Sequence, residues 1–203
     1  MKTLTYCTSL LLVLLLTACG NGGNQSENTD NAAPATTEQP VDGAFAPAND
    51  ALQSGKSAAE IGGLLMQRFA AVSDPNTGIL NEKESRDFVK VATALAEKFP
   101  DDTLAAMPLY RAGEVVRALN DPQRAAQIYE QVHNNYPSYS KAPEALFMLA
   151  FTYDEDLKQY DKARETYEKF LELYPDNIFA ESTPMLLENL GKSQEEMLEM
   201  LEQ

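Results

Sequence analysis

Few side chains in this 203-residue chain could do chemistry. The only histidine, His133, stands beside Asn134 and Asn135 near the predicted end of a helix. The sequence shows no set of residues that could form a catalytic site with it. We therefore interpret His133 as a solvated residue at a helix end, where a partial positive charge suits the helix dipole. The run Asp154-Glu155-Asp156 could bind calcium, but it lacks the glycine and the spaced oxygen ligands of a calcium loop, so we expect a solvated turn. 

The sequence contains neither a glycine loop for phosphate nor a nucleophile elbow. We therefore predict that the protein is not an enzyme and that it has no catalytic residue, cofactor or metal site.

The two cysteines, Cys7 and Cys19, lie in an N-terminal segment with the features of an export signal. Lys2 precedes an apolar run from Leu10 to Leu16, which is shorter than the ~20 residues needed to span a bilayer. The ending Leu16-Thr17-Ala18-Cys19 resembles the bacterial lipobox. That resemblance implies a signal peptide over residues 1–18, cleavage before Cys19 and acylation of Cys19, including palmitate. Ordinary secretion with a coincidental cysteine is the alternative.

The residue after the predicted lipid anchor is Gly20 rather than aspartate. By the lipoprotein pattern this favours the outer membrane, with the protein facing the periplasm; display on the cell surface stays open. Residues 19–51 are rich in Asn, Gly, Ala, Thr, Pro and Gln, which predicts a disordered linker. A flexible chain of that length has a root-mean-square reach of about 30 Å.

Residues 52–203 are dominated by Ala, Leu, Glu and Lys with helical apolar spacing, which predicts one all-α domain. Turn residues and capping boxes divide it into helices. The predicted helices are 58–72, 81–98, 103–119, 122–135, 142–156, 161–174, 179–190 and 193–202.

An internal repeat with an offset of 38 residues organises this domain. Ala125, Tyr129, Val132 and Pro137 recur as Ala163, Tyr167, Phe170 and Pro175. Small residues allow close helix approach, and proline ends the second helix of each hairpin. The pattern resembles the tetratricopeptide repeat family, which implies an α-solenoid of helical hairpins. The implied units are a divergent hairpin (58–100, with Phe88 where alanine is expected), repeats 103–137 and 141–175, and capping helices 178–203.

The family binds partners through a groove lined by the first helix of each repeat. Carrying its groove positions over gives eight candidate residues: Met107, Tyr110, Glu114, Arg117, Glu144, Phe147, Phe151 and Asp154. Tyr110, Phe147 and Phe151 would then be exposed aromatic residues of the kind favoured at interaction sites. The alternative is that they pack as core under neighbouring helices. The Lys and Asn pair of carboxylate-clamp repeats is absent, so we do not expect a chaperone-tail clamp.

The formal net charge of −15 argues against nucleic-acid binding. The chain combines a lipobox-like ending, a predicted linker and helical repeats. In this combination it is similar to periplasmic repeat proteins of the Tol-Pal-associated division-coordinator type and to the lipoprotein of the β-barrel assembly machine. These resemblances imply a membrane-anchored envelope scaffold that binds protein partners. The coordinator type has an N-terminal coiled coil, which this chain lacks, so the oligomeric state stays open. A solute- or glycan-binding lipoprotein is the alternative function.

Overall fold

The computed structural model describes residues 40–192 and Glu196. The predicted signal peptide, Cys19 and most of the predicted linker lie outside the described residues, as does the predicted helix 193–202 apart from Glu196. The described part confirms the all-α fold, and its one β-bridge joins Ser73 to Leu80. No described helix combines the length and apolar character required to cross a membrane.

Eight α-helices follow one another along residues 40–192. They are α1 (Ala46–Gln53), α2 (Ala58–Gln67), α3 (Glu82–Lys98), α4 (Ala106–Ala118), α5 (Pro122–Asn135), α6 (Ala142–Phe151), α7 (Tyr160–Leu173) and α8 (Thr183–Asn189). From α3 to α8 each helix packs on the next, and at the start of the domain α1 also contacts α3 and α2 also contacts α4. One continuous apolar core runs through these elements.

Local capping explains where several helices begin. The side chain of Ser57 accepts a hydrogen bond from Glu60 N–H and completes a capping box at α2. Asn81 and Asp121 accept from Glu84 N–H and Arg124 N–H, three residues into α3 and α5. Helix α5 therefore occupies the predicted residues 122–135.

The folded region begins earlier than the predicted linker boundary at residue 51. A 3₁₀ turn over Gly43–Phe45 leads directly into α1, and Phe45 is fully buried. Pro47 lies in the first turn of α1, where proline is tolerated. The prediction of disorder up to residue 51 is wrong because Phe45 and Leu52 pack against later parts of the chain.

Long-range contacts hold this early segment against α3. The ring of Phe45 meets the ring of Phe88 edge to face with centroids 5.3 Å apart, and Phe69 meets Phe88 at 4.9 Å. The ammonium of Lys98 donates to the carbonyl of Leu52 at 2.6 Å. Phe88 thus replaces the small residue of a regular repeat because the extra aromatic volume packs against Phe45 and Phe69.

Several predicted helices are shorter in the structure. The predicted helix 103–119 begins with a 3₁₀ turn over Thr103–Ala105 before α4, and 142–156 is α-helical only to Phe151. The predicted helix 58–72 becomes α2 followed by a 3₁₀ turn over Phe69–Val72. The predicted helix 179–190 begins only at Thr183, because residues 176–182 form turns.

The second repeat has ten positions from Tyr153 to Ala163, where the first has nine from Val116 to Ala125. This one-residue insertion coincides with a π-helical turn over Thr152–Asp156, at the end of α6. Leu157 N–H donates to the Thr152 carbonyl, five residues earlier, at 3.0 Å. Lys158 then adopts a left-handed backbone with φ of 52°, as Asn120 does after α4 with φ of 62°. The predicted solvated turn at 154–156 is therefore partly wrong, since Asp154 is buried inside this π turn.

Candidate partner-binding groove

The candidate groove consists of side chains on α4 and α6 and on the turns beside them. Of the eight predicted residues, Met107 is the most open, with 46% of its surface exposed. Glu114, Arg117, Glu144 and Phe151 are half-buried. Tyr110, Phe147 and Asp154 are buried, so the expectation that Tyr110 and Phe147 are exposed is wrong.

Phe147 is covered by a residue from beyond the second repeat. Its ring stacks on Phe179 with centroids 4.5 Å apart and an interplanar angle of 10°. Phe170 and Tyr167 meet the same ring at 5.5 and 5.8 Å. The alternative interpretation, aromatic groove positions packed as core under the closing segment, therefore holds for Phe147.

Tyr110 is buried by the segment that joins the two repeats. Its ring lies 5.9 Å from the ring of Tyr129 and 6.4 Å from that of Tyr139. The ammonium of Lys141 is 5.8 Å from the ring centroid of Tyr110. Burial raises the pKa of the Tyr110 hydroxyl, so it stays a neutral phenol.

Three cations along the groove share one arrangement, in which each contacts an aromatic ring and pairs with a carboxylate. Arg117 spans the two repeats: its guanidinium lies 4.9 Å from the Phe151 ring and donates to both Asp156 oxygens, at 2.5 and 3.1 Å. The other two groups are Phe69 with Arg111 and Glu114, and Tyr110 with Lys141 and Glu144.

Three further residues lie in the groove that were not predicted from the sequence: Arg111, Lys141 and Asp156. Arg111 and Lys141 each precede their glutamate by three residues, a spacing that indicates a helical ion pair and could have shown them. Asp156 reaches Arg117 across 39 positions of sequence, so no local signal marks it. These three cations and three carboxylates balance, which leaves the groove close to neutral in a chain of net charge −15.

A cleft of about 460 Å³ lies where α4 faces α6. Arg117, Asp156, Met148 and the fully buried Tyr129 contribute to its walls. The hydroxyl of Tyr129 has no hydrogen-bond partner among the described residues, and Tyr167, its equivalent in the second repeat, is in the same situation. The cleft opens to solvent, so it suits a segment laid across the helices.

His133 is buried on α5, so its interpretation as a solvated helix end is wrong. Its Nδ1 lies 3.3 Å from the carbonyl of Ala142, and its ring meets Tyr174 edge to face at 6.0 Å. Burial is the main cause that lowers the pKa of His133, and the charge of Lys169 adds to it. The ring thus links α5 to the start of α6.

Among residues 40–192, no three Asp, Glu, His or Cys side chains converge in a set that could hold a metal ion. The groove offers shape, apolar contact at Met107 and partly exposed polar groups. That chemistry suits recognition of another chain.

The fold and this groove define an α-helical repeat protein. The family model described as tetratricopeptide repeat matches two segments of this chain, residues 109–139 and 144–177. Such repeats generally mediate protein–protein interaction, and proteins built on them are typically non-enzymatic scaffolds. No curated protein matches the chain.

Proposed function

We propose that this protein is a lipid-anchored scaffold of the bacterial cell envelope that binds a protein partner through the groove of α4 and α6. The observation that carries the proposal is the open face beside these first helices, where Met107, Glu114 and Arg117 keep exposed surface although the rings beneath are buried. The lipobox-like ending at Cys19 supports the anchor.

The proposed location is the outer membrane, with the repeats facing the periplasm, and the proposed role is outer-membrane or division and envelope maintenance. Attachment through more than one acyl chain is stable, whereas a single acyl chain binds membranes only marginally. The chain between Cys19 and the 3₁₀ turn at Gly43–Phe45 separates the repeats from the lipid. The scaffold would therefore reach partners away from the bilayer.

Site-specific crosslinking tests the groove directly. A photoactivatable phenylalanine replaces Met107 in one variant and Leu173 in the control. Leu173 is 49% exposed, close to the 46% of Met107, but it lies on α7, the second helix of its hairpin. We expect one discrete crosslinked protein from the Met107 position only. Equal crosslinking from both positions would show that the groove has no special role.

The anchor is tested by Cys19→Ala in the native host. The wild type is expected in the outer-membrane fraction and the variant in the soluble periplasmic fraction. Metabolic labelling with a palmitate analogue tests directly whether Cys19 is acylated. A variant that still fractionates with membrane, or that is still labelled, contradicts the proposed anchor.

The rival function, a solute- or glycan-binding lipoprotein, calls for an enclosed pocket with converging polar groups. The clefts lined by described residues are open, and the groove's charged side chains already pair with one another. No observation in the described part favours this rival over a protein partner.

A further inference from the structure

Asp154 is a buried acid that lines a cleft. Only 6% of the residue is exposed, yet it contributes to the wall of an opening of about 410 Å³ between the π turn and α8. Among the described residues, no hydrogen bond or ion pair involves its carboxylate, and only the charges of Glu155 and Lys158 act on it. A buried charge without a hydrogen-bonded partner is costly, so this carboxylate is suited to a donor from outside the chain.

The charged neighbours do not satisfy Asp154. Lys158 is 56% exposed and bonds Glu155 at 3.4 Å, so it acts on Asp154 only through longer-range attraction. The hydroxyl of Tyr167, which the charge of Asp154 also reaches, is buried and donates to no described group. Lys192 also lines this cleft and has an interaction of its own. Burial, followed by the repulsion of the Glu155 charge, outweighs the attraction of Lys158 and raises the pKa of Asp154.

The other walls of the cleft suit an alkyl chain that ends in a positive charge. Tyr160 and Leu186 provide apolar surface, and Asn189 provides an amide. No set of three metal ligands converges among the described residues, which favours an organic cation over a metal ion. Residues 141–203 contain fifteen acids and six Lys or Arg, so long-range attraction also favours a basic partner here.

We propose that the cleft between the π turn and α8 binds a primary alkylammonium group, supplied by a lysine side chain of the partner, with Asp154 as its counter-ion. The ammonium would donate to the Asp154 carboxylate while the butyl stem packs on Tyr160 and Leu186. This inference deepens the proposed function, since it names one side chain of the partner. It does not depend on where the protein is anchored.

Titration with small probes tests the site on the folded repeat domain within the full chain. The probes are Nα-acetyl-lysine methylamide, its neutral analogue Nα-acetyl-norleucine methylamide, and 1,5-diaminopentane. Binding is followed by ¹H–¹⁵N shifts of Asp154 to Lys158 and of Asn189. We expect the lysine amide to bind at least about fivefold more tightly than the norleucine amide. Equal binding of the two amides, within about twofold, would overturn the proposal.

Two variants separate the buried acid from general surface charge. Asp154→Asn keeps the shape and is expected to abolish the preference for lysine, whereas Glu168→Gln changes an exposed carboxylate on α7 that does not line the cleft and should retain it. A preference that survives in Asp154→Asn, or that is lost equally in both variants, contradicts the role of Asp154. If a variant misfolds, the comparison of the two amides on the wild-type protein still tests the proposed lysine site.

The probes also distinguish the source of the ammonium. Tighter binding of the lysine amide than of the diamine supports a lysine side chain of a partner protein as the source. Tighter binding of the diamine would contradict this source and indicate a free polyamine instead. Crosslinking from Met107 monitors the groove separately. If the wild-type protein does not prefer the lysine amide but still crosslinks from Met107, the proposed lysine site is wrong and the proposed scaffold function is unaffected.

Discussion

Phe147 on α6 and Phe179 in the turn before α8 stack face to face, 4.5 Å apart and tilted by only 10°. A groove position of the second repeat is thereby closed by a residue 32 positions further along the chain. The proposed partner-binding face is consequently centred on Met107, Glu114 and Arg117, and aromatic rings lie beneath it.

Removal of this stack is expected to weaken the C-terminal end of the domain. Phe179→Ala should lower the free energy of unfolding by about 2 kcal/mol, through the lost ring contact and part of the burial. Ile178→Ala is the control, since Ile178 is 79% exposed and its truncation should change stability by less than about 0.5 kcal/mol. Urea denaturation measures both; equal losses would mean that the stack contributes no stability.

Gly113 is a position where the helices leave no room for a methyl group. A Cβ there would lie 2.8 Å from Cε1 of Tyr129, whereas a Cβ at Gly63 in α2 would meet nothing within 4 Å. Gly63→Ala should stabilise the protein by about 1 kcal/mol through helix propensity. Gly113→Ala should destabilise it by about 1 kcal/mol because overpacking exceeds the same gain. Thermal unfolding of the two variants shows whether each substitution raises or lowers stability. Stabilisation by both alanines would show that the Tyr129 ring moves easily to make room for the methyl group.

The left-handed backbone of Lys158 predicts a stabilising substitution. Lys158→Gly should raise the free energy of unfolding by about 1 kcal/mol, because a Cβ is unfavourable at φ of 52°. Asn120→Gly, at the equivalent position after α4, should gain less, since asparagine tolerates this conformation. Chemical denaturation of both variants tests the ranking, and a larger gain at Asn120 would contradict it.

Burial of His133 predicts that mild acid destabilises the domain. Its pKa is lowered in the folded state, so below the ordinary value of about 6.5 the unfolded chain binds the proton more readily. This contribution to stability is present at neutral pH and is lost as pH falls from about 6.5 through the lowered pKa. His133→Gln should remove that pH dependence. Because the chain has one histidine, NMR titration gives its pKa directly, and a value at or above 6.5 contradicts the prediction.

Asp154 predicts the opposite trend at lower pH. Its raised pKa means that the folded state holds the proton more tightly, so its unfavourable effect develops as pH rises from about 4 through the raised pKa. Asp154→Asn should therefore be more stable than the wild type at pH 7, and the difference should vanish in acid. Denaturation at pH 3.5 and 7 measures it; a variant that is less stable at pH 7 would indicate that the carboxylate is satisfied.

The sequence by itself determined the all-α class and most of the helices from α2 onward, but not α1. Asp121 followed by Pro122 placed the start of α5, and the spacing of Ala125, Tyr129 and Pro137 predicted the repeat architecture. Capping and helical periodicity act between residues at most four positions apart, so they are visible in a single chain of letters.

Only the tertiary structure decided which of the marked side chains are exposed. Phe45 begins the domain because it meets Phe88, and Phe147 leaves the groove because Phe179 covers it. Asp154 was assigned to a solvated turn but is buried, in a π turn that coincides with the one-residue insertion. Each outcome depends on a contact between distant segments or on how the backbone absorbs one residue, and local pattern specifies neither.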